Sequence, residues 1–404
     1  MAVVNTTLQL SQERRRLQQP AGRSVSILGA TGSIGTNTVD VLRRNRDDFS
    51  VVALTGHRNV RLLARQARDL NAQLAVIGDD SLYGELKDLL AGTRIEVGAG
   101  ADAVVDAAAR PADVVVAAIV GTAGLNPTLA AVRRGALVAL ANKETLVSAG
   151  AIMTAEVLRA GATLIPVDSE HSAIFQVFDF DRADTVDKIT LTASGGPFRE
   201  KSRDEMRAMT PELAVAHPNW DMGAKISIDS ATMMNKGLEM IEAFHLFPVR
   251  ADQIEVLVHP QSVVHSLVSY VDGSVLAQLG SPDMRTPIAY ALAWPARMAA
   301  PSAPLSLADI GTLSFSAPDV GRFPALRLAQ DCLVAGASAP TVLNAANEVA
   351  VAAFLDRKIG FLEIAKTVEQ VLETVNLAAL NSLEDVFAID AEARRRAHAC
   401  VAAF

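Results

Sequence analysis

The chain has 404 residues, too many for one compact core, so two or three domains are expected. Half of the residues are hydrophobic and a fifth are charged, an ordinary balance for a soluble, well-packed enzyme. The net charge of −8 excludes a general attraction to nucleic acid or an anionic membrane, so an anionic ligand would need a local cluster of donors.

In chain order, residues 1–22 carry "QERRRLQQ" and no apolar export segment, which predicts a disordered tail or short surface helix rather than a signal peptide. Short apolar runs then alternate with helical stretches, and 24–30, 50–56, 72–78, 113–121, 136–142 and 162–168 are strand-like. Continuous rather than alternating runs predict strands buried on both faces, as in a parallel sheet covered by helices. Residues 23–168 are therefore expected to form a Rossmann-like, doubly wound α/β domain. The most membrane-like stretch, "VVVAAIVGTAGLNPTLAAV", is interrupted at Asn126 and Pro127 and reads as a buried strand and loop.

From 169 to 293, β-branched runs ("VDKITLTAS", "QIEVLVHP", "SVLAQL") mix with helices, the pattern of an α+β catalytic domain. Pro295, Pro301, Pro304, Pro318 and Pro324 predict an extended linker over 294–325. Residues 326–404 read as a helical domain: Phe361, Ile364, Ala365, Val368, Val371 and Leu372 follow the i, i+3, i+4, i+7 rule. Ser382 with Asp385 resembles a capping box.

The first chemistry-bearing motif is "GATGSIG", which places Gly29, Gly32 and Gly35 after the first buried strand and before a helix over about 34–44. Glycines there permit a tight turn and close backbone approach, and the helix N-terminus offers N–H groups to a pyrophosphate. The next strand ends in "LTGHRN", without the acid that grips a ribose 2′-hydroxyl. His57 and Arg58 stand in its place, and a cation there suits the 2′-phosphate of NADP, which favours NADP(H) over NAD; the alternative is that Arg58 is a solvated loop charge.

In "VDSEHS", Asp168 and Glu170 are two apart, so an extended backbone would aim both side chains to the same side. Like charges that close repel unless a cation lies between them. The pair suits a hard ion such as Mg²⁺ or Mn²⁺, although two solvated loop acids explain the same residues. The segment "DSATMMNKGLEMIEA", 229–243, reads as one helix capped by Ser230, with Asn235, Lys236 and Glu239 on one face. Gly237 costs that helix about 1 kcal/mol relative to alanine, which implies close approach to its backbone. An exposed Lys–Glu pair is the plain alternative. Donors gathered near a helix N-terminus favour a phosphate site of Ser230, Asn235 and Lys236, with Glu239 as a third metal carboxylate.

"TASGGPF" offers the Ser194 hydroxyl and the N–H groups of Gly195 and Gly196 to the same anion, or is a plain turn. "AHPNWDMGAK" places His217 and Trp220 in a polar loop, readable as a lid over substrate or as an aromatic pinned on the surface. His259 and His265 in "HPQSVVHS" read first as hydrogen-bonded core histidines.

With these segments in view, the sequence closely resembles the deoxyxylulose-phosphate reductoisomerase family, NADPH-dependent enzymes of the methylerythritol phosphate route to isoprenoids. The motifs that carry the resemblance are "GATGSIG", "ANKETLV", "VDSEHSAIFQ", "TASGGPF", "AHPNWDMG", "DSATMMNKGLE", "HPQSVVHS" and "NAANEVAVAAFL", in family order. The resemblance implies that Thr31, Gly32, Ser33, Ile34, Gly56, Arg58, Asn59, Asn142, Glu144 and Gly223 hold NADPH. It implies that Asp168, Glu170 and Glu239 bind Mg²⁺ or Mn²⁺, with Co²⁺ a further option. It also implies that Lys143, Ser169, Glu170, Ser194, His217, Trp220, Ser230, Asn235, Lys236 and Glu239 meet a small phosphorylated sugar. Lys143 and the three acids would be the catalytic groups. A homodimer with a mobile loop around Trp220, and no nucleic-acid or membrane partner, completes the expectation.

Cys332 and Cys400 lie far apart, which is neither a disulfide framework nor a zinc site and suits a reducing cytoplasm. Loops of the "GATG" type also open semialdehyde dehydrogenases, but those need a thiolate mid-chain and neither cysteine is well placed for one. A non-enzymatic NADP-binding redox sensor would need no acid triad.

Overall fold

The computed structural model describes residues 22–216 and 223–404. The chain divides into two compact units that are interleaved in sequence.

The first unit comprises residues up to Thr145, Met153–Phe175 and Asp283–Ala303. Its centre is a seven-stranded sheet of β1 (Arg23–Leu28), β2 (Phe49–Gly56), β3 (Leu74–Ile77), β4 (Glu96–Ala99), β5 (Val114–Ala117), β6 (Leu137–Leu140) and β7 (Thr163–Pro166). The order is β4-β3-β2-β1-β5-β6-β7 and every pairing is parallel. Val25, Ile27, Val115, Val116 and Val138 are fully buried, as continuous apolar runs require when helices cover both faces. The order reverses between β1 and β5, and a doubly wound sheet opens a ligand crevice at such a point, beyond the strands' carboxyl ends. All six predicted strands are present. β4 was not anticipated: it is a half-exposed edge strand of four residues, with no buried apolar run to mark it.

Residues 283–303 were expected to close the catalytic domain and open a linker, yet they belong to this unit. The helix Arg285–Ala293 packs on the helix Ser33–Arg44, and Arg285 pairs with Asp40 at 3.0 Å. Arg23 donates to the carbonyls of Leu292 and Trp294 at 2.9 and 2.8 Å. Long-range ion pairs and carbonyl contacts of this kind leave no local pattern in sequence.

The second unit comprises Leu146–Ile152, Gln176–Pro282 and Pro304–Phe404, so the expected α+β and helical domains form one compact body. Its sheet has the order β11-β10-β8-β9, from β8 (Val186–Ala193), β9 (Ile254–Val258), β10 (Val264–Tyr270) and β11 (Val275–Leu279). β8 and β9 are parallel, and β10 runs antiparallel to β8 and β11. The helix Met234–Leu246 lies on β8 and β9 and packs against the helix Pro324–Ala335. The helix Ala339–Leu355 packs against Phe361–Thr374 and Leu383–Val401, the last opening with the anticipated Ser382–Asp385 capping box. Its neighbours bury it on nearly all sides, from Val342 and Leu343 to Phe354. No helix among the described residues is long and apolar enough to cross a membrane.

Candidate functional site

In the first unit, the "GATGSIG" loop joins β1 to the helix Ser33–Arg44. Gly29 has φ +87°, and a Cβ there would lie 2.6 Å from the Ala118 carbonyl oxygen in the loop after β5. A Cβ at Gly35 would lie 2.3 Å from the Gly29 oxygen, so this glycine seats the helix against the loop. The helix starts without a side-chain cap and without an acid in its first turn, which leaves its N-terminus able to meet an anion. Two residues that sequence reading passed over hold the loop: the Gly29 N–H donates to Thr55 Oγ1 at 2.9 Å, and Gln66 Nε2 donates to the Ala30 carbonyl at 3.0 Å. Thr55 is marked only as a polar residue in an otherwise apolar strand, and Gln66, set among arginines in its helix, carries no signal at all.

Thr31 packs on the end of β2, where a Cβ at Gly56 would lie 3.1 Å from Thr31 Cγ2. Arg58 is 75% exposed and pairs with Asp79 at 3.1 Å. Asn59 Oδ1 accepts the Leu62 N–H and caps the next helix. Asn142 is buried and spans two loops. Its Nδ2 donates to the carbonyls of Ile119 at 2.5 Å and Gly121 at 3.0 Å, and its Oδ1 accepts the Thr145 N–H. Asn142 thereby ties the loop after β5 to the loop after β6. Lys143 and Glu144 open the helix Glu144–Ala160, with Glu144 buried in its first turn.

Strands β6 and β7 are neighbours, so the residues that follow them meet: Lys143 Nζ lies 3.0 Å from Asp168 Oδ2. Asp168 and Glu170 are not on an extended backbone as anticipated. A helix begins at Ser169, and Asp168 Oδ1 accepts the Glu170 N–H at 3.3 Å in the manner of an N-cap. Ser169 Oγ donates to Glu170 Oε2 at 2.5 Å. Two acids, a hydroxyl and an ammonium thus share the carboxyl end of β7.

In the second unit, "DSATMMNKGLEMIEA" is not one helix. Met233 adopts φ +66° and separates Ala224–Thr232 from Met234–Leu246, so Ser230 stands in the last turn of the first helix and caps nothing. The Lys–Glu pair is not a solvated face either. Lys236 is 4% exposed and Glu239 0%. Lys236 Nζ and Asn235 Nδ2 donate to the two Glu239 carboxylate oxygens, each at 2.5 Å. Gly237 is not approached by a backbone-seeking ligand: its missing Cβ would lie 2.5 Å from the Ala329 Cβ.

Ser194 immediately follows β8, and the glycines after it have φ of +82° and +68°. The Gly196 N–H donates to Ser194 Oγ at 3.1 Å. A Cβ on Gly196 would lie 2.7 Å from the Ser230 carbonyl oxygen, so the "SGG" turn is packed directly on the Ser230 helix. The unit therefore gathers two serine hydroxyls and, one helix further, an amide and an ammonium. Gly223 precedes the Ser230 helix and is exposed; no atom crowds its missing Cβ, so packing does not demand a glycine there. His217 and Trp220 lie outside the described residues.

Both histidines of "HPQSVVHS" are core residues. His259 Nε2 accepts the N–H groups of Val263 and Val264 at 3.2 Å, which leaves Nδ1–H to donate to the Ser314 carbonyl at 2.9 Å. Burial, the Lys236 ammonium and His259 together push the His265 pKa down to about 4. Burial pushes the Cys332 thiol up to about 12, with Asp331 adding to it, which removes it as a thiolate nucleophile at neutral pH.

The chain matches family models for 1-deoxy-D-xylulose 5-phosphate reductoisomerase over residues 25–150, for that enzyme's C-terminal domain over 164–247, and for the DXP reductoisomerase C-terminal domain over 279–396. It is 62% identical over 381 residues to the 1-deoxy-D-xylulose 5-phosphate reductoisomerase of Rhodospirillum centenum, covering 94% of this chain and 95% of that one. It is 59% identical to the Zymomonas mobilis enzyme of the same name, over 95% of this chain and 98% of the relative. A solved structure of 1-deoxy-D-xylulose 5-phosphate reductoisomerase from Zymomonas mobilis in complex with NADPH superposes with a TM-score of 0.90 at 58% identity, over 94% of this chain and 99% of its own. A DOX-P reductoisomerase holding NADPH, fosmidomycin and magnesium gives 0.89 at 43% identity, over 94% and 98%. Identity this high over nearly the whole of each chain shows that the protein belongs to the 1-deoxy-D-xylulose 5-phosphate reductoisomerase family.

Proposed function

We propose that this chain converts 1-deoxy-D-xylulose 5-phosphate to 2-C-methyl-D-erythritol 4-phosphate, by isomerisation and NADPH-dependent reduction with a divalent metal, in the non-mevalonate isoprenoid pathway. The observation that carries the reading is near-full-length identity to reductoisomerases, including one solved with NADPH and another with NADPH, fosmidomycin and magnesium.

The residues present fit both groups. The uncapped helix after Gly32 and the glycine-lined turn suit the NADPH pyrophosphate, with Thr31, Gly32, Ser33 and Ile34 around it. Gly56, Arg58 and Asn59 would take the 2′-phosphate end, and Asn142, Glu144 and Gly223 the rest of the cofactor. The carboxylates of Asp168, Glu170 and Glu239 are hard oxygen donors of the kind that Mg²⁺ and Mn²⁺ prefer. When bound, the metal supplies Lewis-acid stabilisation of charge on the substrate's oxygens and NADPH supplies the hydride.

The chain's own residues would do the rest. Lys143, held beside Asp168, donates hydrogen bonds to the reacting oxygens, and Ser169 orients Glu170. Ser194, Ser230, Asn235 and Lys236 hold the phosphate, whose binding energy would help draw the segment with His217 and Trp220 over the substrate and expel water. A cytoplasmic homodimer fits the chain. β11 is an edge strand, and Val271, Val275 and Leu276 near it are 69%, 54% and 50% exposed, an apolar edge suited to a second copy.

The test mixes purified protein with NADPH, Mg²⁺ and deoxyxylulose phosphate and follows the reduced-nicotinamide absorbance. Its loss, abolished by chelator and restored by Mg²⁺, is expected. Oxidation of NADPH that persists in chelator would sink the metal-dependent reading.

A further inference from the structure

The "NAANEVAVAAFL" helix, Ala339–Leu355, buries the polar side chains of Thr341, Asn344 and Asn347, and no step of the reaction uses them. Asn344 and Arg394 both bond to Glu348, at 3.1 and 2.5 Å, which fixes this helix to the C-terminal one. Asn347, 0% exposed, faces elsewhere: its Nδ2 donates at 2.8 Å to Oδ1 of Asp229, a carboxylate 1% exposed. Lys225, one turn earlier on the Asp229 helix, holds the other oxygen at 2.8 Å. Asp229 is the residue immediately before Ser230.

We infer that Asp229 and Asn347 are positioning residues that set the rotation of the Ala224–Thr232 helix and so aim the Ser230 hydroxyl at the substrate phosphate. The inference rests on the reading of Ser230 as a phosphate ligand. A nine-residue helix has little stability of its own, so its placement comes from its neighbours. Ile228 and Ala231 bury apolar surface, which tolerates sliding and small rotations. A buried, charge-assisted hydrogen bond is directional and does not. Successive residues lie about 100° apart around a helix, so turning Asp229 away from Asn347 swings Ser230 by the same angle. Displacements on the order of 1 Å at a binding group are enough to reduce binding or turnover strongly.

The experiment compares wild type with Asn347→Ala, with Ser230→Ala, and with the exchanged pair Asp229→Asn/Asn347→Asp, which restores the bond with donor and acceptor reversed. Asn347→Ala is expected to raise the KM for deoxyxylulose phosphate about tenfold, as loss of one charge-assisted bond would. The kcat and the KM for NADPH should stay within about twofold, and the exchanged pair should recover most of the loss. Melting temperature and NADPH binding report whether each variant folds. A folded Asn347→Ala enzyme with unchanged substrate KM, beside a Ser230→Ala enzyme with raised KM, overturns the inference alone. Unchanged KM in both overturns the phosphate role of Ser230 instead. Should Asn347→Ala fail to fold, the exchanged pair decides: near-wild-type KM supports the inference, and a KM raised tenfold in a folded protein rejects it.

Discussion

Gly237 closes the first turn of the buried helix Met234–Leu246, where helix propensity favours alanine by up to about 1 kcal/mol. The structure gives the reason for glycine: a Cβ at this position would lie 2.5 Å from the Ala329 Cβ on the helix Pro324–Ala335. Ordinary carbon contacts are about 3.5–4.0 Å, so the two helices must part by on the order of 1 Å to admit a methyl group. Overpacking of this kind costs about 1–3 kcal/mol, of which the propensity gain offsets about 1. Gly237→Ala should therefore destabilise the protein by up to about 2 kcal/mol, or at most several degrees of melting temperature at about 2–4 °C per kcal/mol. It should also displace Lys236 and Glu239, the flanking residues that meet at 2.5 Å, and lower activity. The assay is thermal unfolding together with steady-state turnover, for Gly237→Ala and for Gly237→Ala/Ala329→Gly. The double variant returns the space and should restore both. Activity lost at unchanged melting temperature, with no rescue by Ala329→Gly, would refute packing as the cause and return the glycine to a ligand.

Three further outcomes are expected. Glu239→Gln should lower turnover by at least about 100-fold while NADPH still binds, since it removes one of the proposed metal carboxylates; an unchanged kcat takes Glu239 out of that set. Arg58→Ala should raise the KM for NADPH about tenfold more than that for NADH, the lower range for a charged hydrogen bond because the side chain is largely exposed; equal effects on the two cofactors exclude a 2′-phosphate contact. Burial holds the His265 pKa at about 4 in the fold, against about 6.5 when unfolded, so the unfolded chain takes up the proton first as pH falls. The stability His265 contributes is thus complete above pH 6.5 and is lost between about 6.5 and 4, by up to about 1.4 kcal/mol per pH unit. Denaturant unfolding of wild type and His265→Gln checks it, and identical slopes over that window would rule it out.

The segments that carry the candidate site were legible in the sequence because their patterns are local. A glycine at φ +87° after a buried strand, and an Asp-Ser-Glu run just beyond the end of another, depend on neighbours within a few positions. The errors share a cause as well. Asp168 and Glu170 looked extended because a strand precedes them, but the backbone turns into a helix at Ser169. Residues 229–243 looked like one helix because Ser230 reads as a cap ahead of good helix formers, and the left-handed Met233 between the two helices has no propensity mark. β4 and β10 escaped notice because an edge strand and a strand carrying buried serine and histidine lack a clean apolar run.

Composition and periodicity by themselves determined the parallel-sheet architecture and the glycine-rich turn between its first strand and helix, because both rest on residue type at short spacing. Only the tertiary structure decided that Lys236 and Glu239 are a buried pair rather than a solvated one, that Gly237 yields to Ala329, that residues 283–303 return to the first unit, and that Asn347 reaches Asp229. Burial and long-range partners are properties of how helices pack across more than a hundred residues of chain, and nothing in the order of neighbouring side chains encodes which of them will be shut away from water.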